Sequence, residues 1–231
     1  MCTRVAVKTP GVQLAAQFAA RLEGDLESGY NLGPNRGLPV LRQESGARLL
    51  RSMRWGLVPA WRKDPGGTPL VNARSETMAE KASFRDAFRS SRCLLLIDGF
   101  YEWKSLGGGK QPYFVRRVDE APMALAGLYS VFGREQVLWT CAAVTLAARG
   151  GMLALHERMP AVLDAEGQQR WLDEASAFDA ASLFALLERG DGAGGMDVER
   201  VPVSSWVNDV RHEGPRCIQP VEIARQQLLF D

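Results

Sequence analysis

Four apolar runs rich in β-branched and aromatic residues succeed one another between residues 93 and 145: CLLLIDGFYEWK, PYFVRRV, PMALAGLYSVF and QVLWTCAAVT. The connections between them, SLGGGKQ, DEA and GRE, are short and either contain glycine or carry charge. Such spacing predicts hairpins, and a series of hairpins is an antiparallel meander. No alternation of strand and helix points to a parallel nucleotide-binding sheet, and no 20–50-residue repeat is present. Helices are expected at the periphery. Leu14, Phe18 and Leu22 share one face of a helix over 12–23 that ends at Gly24, and residues 77–90 form one or two short helices with Phe84 and Phe88 inward. Asp179 caps a further helix bearing Leu183, Leu186 and Leu187, and GDGAGG at 190–195 reads as a flexible surface loop. The expected fold is therefore α+β: a single domain over residues 1–231, with a central antiparallel, barrel-like sheet and peripheral helices.

Composition limits the functions open to this chain. Its 231 residues are 46% apolar and 24% charged, normal for a globular protein with a full core. The net charge of +1 leaves nucleic-acid binding to a local basic patch rather than a global field. Cys2, Cys93, Cys141 and Cys217 include no C-x-x-C pair, and His156 and His212 are the only histidines, so no metal site is expected. The wide spacing suits reduced cytosolic thiols, and Cys93 and Cys141 lie in apolar runs where a thiol packs as a small hydrophobe. No stretch approaches the roughly 20 apolar residues of a membrane span. The start, MCTRVAVKTP, lacks the apolar region of a secretory leader. A cytoplasmic location is expected.

Cys2 directly follows the initiator methionine. Removal of Met1 leaves an amine and a thiol on adjacent carbons, a pair that closes on an aldehyde as a five-membered thiazolidine. An α-amine titrates at about 7.7–8.0, so part of it is unprotonated near neutrality. Three motifs supply polar partners: VNARSET at 71–77, DGFYEWK at 98–104 and HERMPAVL at 156–163. Their candidates are Asn72, Arg74, Glu102, His156 and Arg158. Each also has an ordinary reading: a turn amide for Asn72, a solvent-facing carboxylate for Glu102, a structural imidazole for His156, and salt bridges for both arginines.

Together with MC-x-R at 1–4, YNLGP at 30–34, WGLVPAW at 55–61 and VNDVRHEGPRC at 207–217, these motifs resemble the SRAP (SOS-response-associated peptidase) family, in the same order and from residue 2 to about 217. The resemblance implies an enzyme that binds abasic sites in single-stranded DNA and links the aldehyde covalently to the N-terminal cysteine. Associated Met1 autocleavage, lyase or crosslink-reversal activity is implied too. Cys2 becomes the nucleophile, Asn72 orients it, Glu102 moves protons and His156 helps hold and open the sugar. Arg4, Arg74 and Arg158 fall to DNA contacts, with Trp61 and Trp103 as groove walls and Pro34 as a wedge. Opening the sugar needs a proton at the ring oxygen, which either Glu102 or His156 can give. No cofactor is expected, and a monomer is. Two positions depart from the family pattern: Thr3 replaces the usual glycine, which bears on crosslinking rate, and Asp209 replaces the second asparagine of V-N-N-V, which bears on local packing. Competing readings are an N-terminal-nucleophile cysteine peptidase, with Asn72 as an oxyanion donor, and a non-catalytic single-strand binder.

Overall fold

The computed structural model describes residues 2–107, 109–133, 136–174, 177–189 and 197–223. Strands β1 (Val5–Val7), β2 (Arg21–Glu23), β3 (Gly29–Leu32), β4 (Gly37–Glu44), β5 (Ala47–Trp55) and β6 (Asn72–Arg74) precede the central runs. Those runs become β7 (Arg92–Ile97), β8 (Gly99–Leu106), β9 (Gly109–Arg117), β10 (Met123–Phe132) and β11 (Leu138–Ala147), followed by β12 (Arg158–Pro160) and β13 (Val198–Pro202). The α-helices among the described residues are α1 (Gly11–Gln17), α2 (Arg85–Ser90), α3 (Ala165–Leu172) and α4 (Ala180–Leu187).

The strands form two sheets. One runs β12-β11-β10-β7-β4-β5-β2, with β6 added on β11, and a further β11–β5 pairing closes β4, β5, β7, β10 and β11 into a ring. The other runs β13-β9-β8-β1-β3. Closure removes the edges that an open sheet would expose. The main core, which includes Val40, Leu50, Trp55, Leu94, Leu96, Leu125, Ala142 and Val144, packs on both faces of the ring strands. Strand β7 is buried from Cys93 to Ile97 and β10 from Met123 to Leu128, so successive side chains, which point to opposite faces, are covered on both sides. A smaller cluster of Ala6, Tyr101, Phe114, Val203, Val207 and Cys217 packs the second sheet against the C-terminal segment.

The expected α+β, barrel-like architecture is present, with three local differences. CLLLIDGFYEWK is two strands in two sheets rather than one run, because the buried Asp98 between them accepts from the Lys8 N–H, the Thr9 N–H and the Thr9 hydroxyl. Those bonds turn the chain out of the first sheet. The DEA connection crosses between sheets and makes no hairpin: β9 pairs with β8 and β13, and β10 with β7 and β11. Finally, the helix expected over 12–23 stops at Gln17, Ala19 takes φ 49°, and Arg21–Glu23 adds to β5 as a parallel strand. That helix has no side-chain N-cap and no charges placed against its dipole, so ladder bonds along β5 outweigh one more helical turn.

Elsewhere the helix readings agree. Phe84 and Phe88 are buried, and the Asp179 carboxylate caps α4 through the N–H groups of Ala181 and Ser182. Most of 77–84 is turn rather than helix. The GDGAGG stretch at 190–195 lies outside the described residues. No described helix is long and apolar enough to cross a membrane.

Candidate active site

Strand β1 threads between β3 and β8, pairing Val5 with Leu32 on one side and with Phe100 on the other. This placement carries Cys2 into the interior, where it is 1% exposed. Strand β6 lies parallel to β11, with Asn72 opposite Ala143, and aims the Asn72 amide at the chain start. Its Nδ2 donates to the Cys2 carbonyl at 2.7 Å, and its Oδ1 is buried without a partner among the described residues. The preceding residue is fixed from the barrel, since the Trp55 indole donates to the Val71 carbonyl at 2.9 Å.

On β8, Glu102 is buried at 2% exposure on the strand that flanks β1. Burial raises its pKa above the usual carboxylate range, and nearby His156 partly opposes that rise. Burial also pushes the Cys2 thiol well above its ordinary value, and the Glu102 charge adds to the effect. His156 precedes β12, and its Nδ1 accepts the Arg158 backbone N–H at 2.9 Å. With Nδ1 engaged by that bond, Nε2 is the ring nitrogen left to meet a ligand.

Glu102 and His156 open into one cleft of about 350 Å³, lined also by Trp103, Lys110 and Asn208. Trp103 forms its wall. The indole Nε1 donates to Asn208 Oδ1 at 2.7 Å, and the Arg4 guanidinium carbon lies 5.9 Å from the ring centroid. Arg4 in turn donates to Asn31 Oδ1 at 2.6 Å and to the Val207 carbonyl at 3.1 Å, so its side chain anchors the C-terminal segment beneath the wall.

Cys2, Asn72, Glu102 with Trp103, and His156 therefore come from four separate stretches to one locality. The other expected DNA contacts are more scattered. Arg74 is exposed two residues beyond Asn72. Arg158 is held by the Glu76 carboxylate, with a further bond to the Thr145 carbonyl at 2.7 Å. Pro34 is exposed in the turn after β3 and does not line the cleft. Trp61 is 60% exposed and lines a different depression, of about 450 Å³, that also contains Arg42, Tyr129 and Trp139. Thr3 is half-buried, and the Asp209 carboxylate bonds Arg211 locally while its carbonyl accepts from Asn31 Nδ2. Sequence reasoning missed Lys110 and Asn208. The former sits in a glycine-rich connection that reads as a solvated turn, and the latter lies in a motif with no strand or helix period to orient it. No group of three or more His, Cys, Asp or Glu side chains among the described residues has the arrangement of a metal site.

The description "SOS response associated peptidase (SRAP)" belongs to the family model that matches residues 1–210. The chain belongs to the SRAP family. Among curated relatives, the Abasic site processing protein HMCES of Gallus gallus is 34% identical over 239 residues, covering 87% of this chain and 68% of that protein. The Abasic site processing protein YoqW of Bacillus subtilis is 34% identical over 201 residues, covering 85% and 88%. YedK of Escherichia coli, carrying the same description, is 31% identical over 232 residues and covers 96% and 100%. A crystal structure of a Bacteroides thetaiotaomicron protein shares the fold at TM-score 0.80 and 20% identity, covering 96% of this chain and all of that one. A phage-related protein from Bordetella bronchiseptica superposes at TM-score 0.69 and 27% identity, covering 87% and 94%. The SRAP match spans every motif that contributes a side chain to the cleft.

Proposed function

We propose that this SRAP protein processes abasic sites in single-stranded DNA by forming a thiazolidine crosslink between the lesion's C1′ and Cys2, after Met1 is removed. The single observation that carries the reading is the Asn72–Cys2 bond, which holds residue 2 in a locality shared with the buried Glu102 carboxyl and the His156 imidazole. Relatives described as abasic site processing proteins support the substrate class.

The steps balance without an oxidant or a metal. Glu102, whose burial favours the protonated form, gives its proton to the sugar ring oxygen as the C1′–O bond breaks, and the C1′ hydroxyl passes its proton to the carboxylate so formed, giving the aldehyde. His156, whose Nδ1 accepts the Arg158 N–H, has Nε2 to hydrogen-bond a sugar oxygen and hold the ring. The two groups thus divide the work. The Cys2 amine then attacks C1′ and water leaves, forming the imine. The thiol adds across that C=N bond, with S bonding to C1′ and the thiol proton passing to nitrogen. Asn72 Oδ1 is an acceptor available to the freed amine. Confinement raises the effective concentration of amine and aldehyde.

The peptidase reading fits less well. A thiol protease depends on a thiolate, which a lowered pKa supplies, whereas burial favours the protonated Cys2 thiol. A protonated thiol suits addition to an imine that the amine has already made. The test is incubation with an abasic single-stranded oligonucleotide followed by denaturing electrophoresis and intact-mass measurement. A stable adduct on a chain beginning at Cys2 is expected. Noncovalent binding alone, or an adduct that survives Cys2→Ala, refutes the reading.

A further inference from the structure

Among the described residues that line the cleft, Lys110 is the one lysine or arginine. It is exposed on β9, opposite Ser105 in the β8–β9 ladder. No carboxylate or hydrogen-bond acceptor among the described residues holds its ammonium group. The arginines that motif position suggests as phosphate ligands are mostly engaged: Arg4 with Asn31 and Val207, and Arg158 with Glu76 and Thr145. Glu102 is buried on β8 while Lys110 is exposed at the same cleft, so the ammonium is the group placed to meet an anion entering from solvent. The cleft's volume of about 350 Å³ lies near the lower end for small-molecule sites, which run from about 300 to 1,000 Å³, and fits a sugar with a flanking phosphate rather than a length of strand.

We propose that Lys110 binds the phosphate next to the abasic sugar, so that the cleft selects a deoxyribose phosphate rather than a bare sugar aldehyde. The inference rests on the proposed abasic-site function and names the part of the substrate that this lysine recognises. A flexible ammonium suits a phosphodiester whose direction shifts as the sugar opens, because it needs no fixed fork geometry.

The test compares wild type, Lys110→Gln and Lys110→Arg in two assays. The first measures adduct formation with 2-deoxyribose 5-phosphate and with 2-deoxyribose, read as the ratio of the two rates. Differences in ring opening between the sugars cancel when that ratio is compared between variants. The ratio is expected to fall by about three- to tenfold in Lys110→Gln, as for a partly exposed charge-assisted contact, and to recover in Lys110→Arg. The second measures equilibrium binding of a single-stranded oligonucleotide carrying a tetrahydrofuran abasic analogue, which has no aldehyde. Here Lys110→Gln is expected to reduce the slope of log affinity against log salt by about 0.7. An unchanged rate ratio together with an unchanged salt slope overturns the assignment. If wild type forms no adduct with any aldehyde, the crosslinking reading has failed instead, and the salt slope alone decides Lys110.

Discussion

Burial gives Glu102 a raised pKa, and that shift has two measurable consequences of definite sign. A carboxyl group whose folded pKa exceeds its unfolded value of about 4.3 contributes its full stabilisation below that value and loses it as pH rises through the folded pKa. Glu102→Gln removes the titration, so the stability of the variant relative to wild type should increase with pH over that window, as read from urea midpoints at several pH values. The same substitution removes the proposed acid. Crosslink formation and reversal are expected to slow by about 10²–10⁴-fold, with binding to the abasic analogue little changed and the alkaline fall in rate flattened. Wild-type crosslinking by Glu102→Gln would assign the proton to another group. His156→Ala should instead slow capture of the closed sugar more than capture of a linear aldehyde, because the partner proposed for His156 Nε2 is an oxygen of the closed ring. At Cys2 the order of events can be read directly. Cys2→Ser is expected to retain an imine trappable by borohydride while losing the stable adduct, since the amine attacks before sulfur closes the ring.

Strand β8 ties Glu102 to the rest of the fold, and its start is intolerant of added bulk. A Cβ on Gly99 would lie 2.3 Å from Phe114 Cζ and 2.7 Å from the Val115 carbonyl oxygen. Gly99→Ala should therefore destabilise the protein by about 1–3 kcal/mol in chemical denaturation and slow crosslinking by moving Glu102, three residues further along. An undiminished crosslinking rate in folded Gly99→Ala would show that the site tolerates that movement. The expected phosphate contacts separate at this scale too. Arg74→Ala should lower the salt slope by about 0.7 with an unchanged melting temperature, whereas Arg158→Ala should also lower the melting temperature because it releases Glu76 and the Thr145 carbonyl. Equal melting temperatures for the two variants would mean that the Glu76 contact stabilises little. Periodicity disclosed β10, β11 and α4, whose apolar spacing and cap are local properties. It did not disclose the break at Asp98, because the partners that make it, the N–H groups of Lys8 and Thr9, lie about ninety residues away. The helix expected over 12–23 failed for a related reason: its apolar spacing was real, but β5 offered residues 21–23 a competing ladder.

On the scale of the whole molecule, ring closure and site assembly share one hinge point. The β5–β11 pairing that closes the ring is parallel and short, Thr140 with Arg54 and Cys141 with Trp55. Nothing in a meander of hairpin spacings announces a parallel contact between strands so far apart in sequence. The catalytic candidates Cys2, Asn72, Glu102 and His156 stood out because aminothiol, amide, acid and imidazole form a chemically coherent set within recognisable motifs. Lys110 and Asn208 did not, since only tertiary packing brings a turn lysine and a C-terminal amide to the same cleft. Trp55 sits where the two organisations meet: its ring is buried in the core, its backbone closes the ring, and its Nε1 donates to Val71, the neighbour of Asn72. Trp55→Phe keeps an aromatic ring but removes the donor and some volume. The expected loss is about 1–3 kcal/mol of stability, from a small cavity and an unpaired carbonyl. If closure positions the site, the folded variant should also crosslink more slowly at saturating DNA, with the deficit present under conditions where less than one molecule in a hundred is unfolded. Loss of stability with full crosslinking by the folded fraction would separate the two, leaving the Asn72–Cys2 contact held by β6 alone.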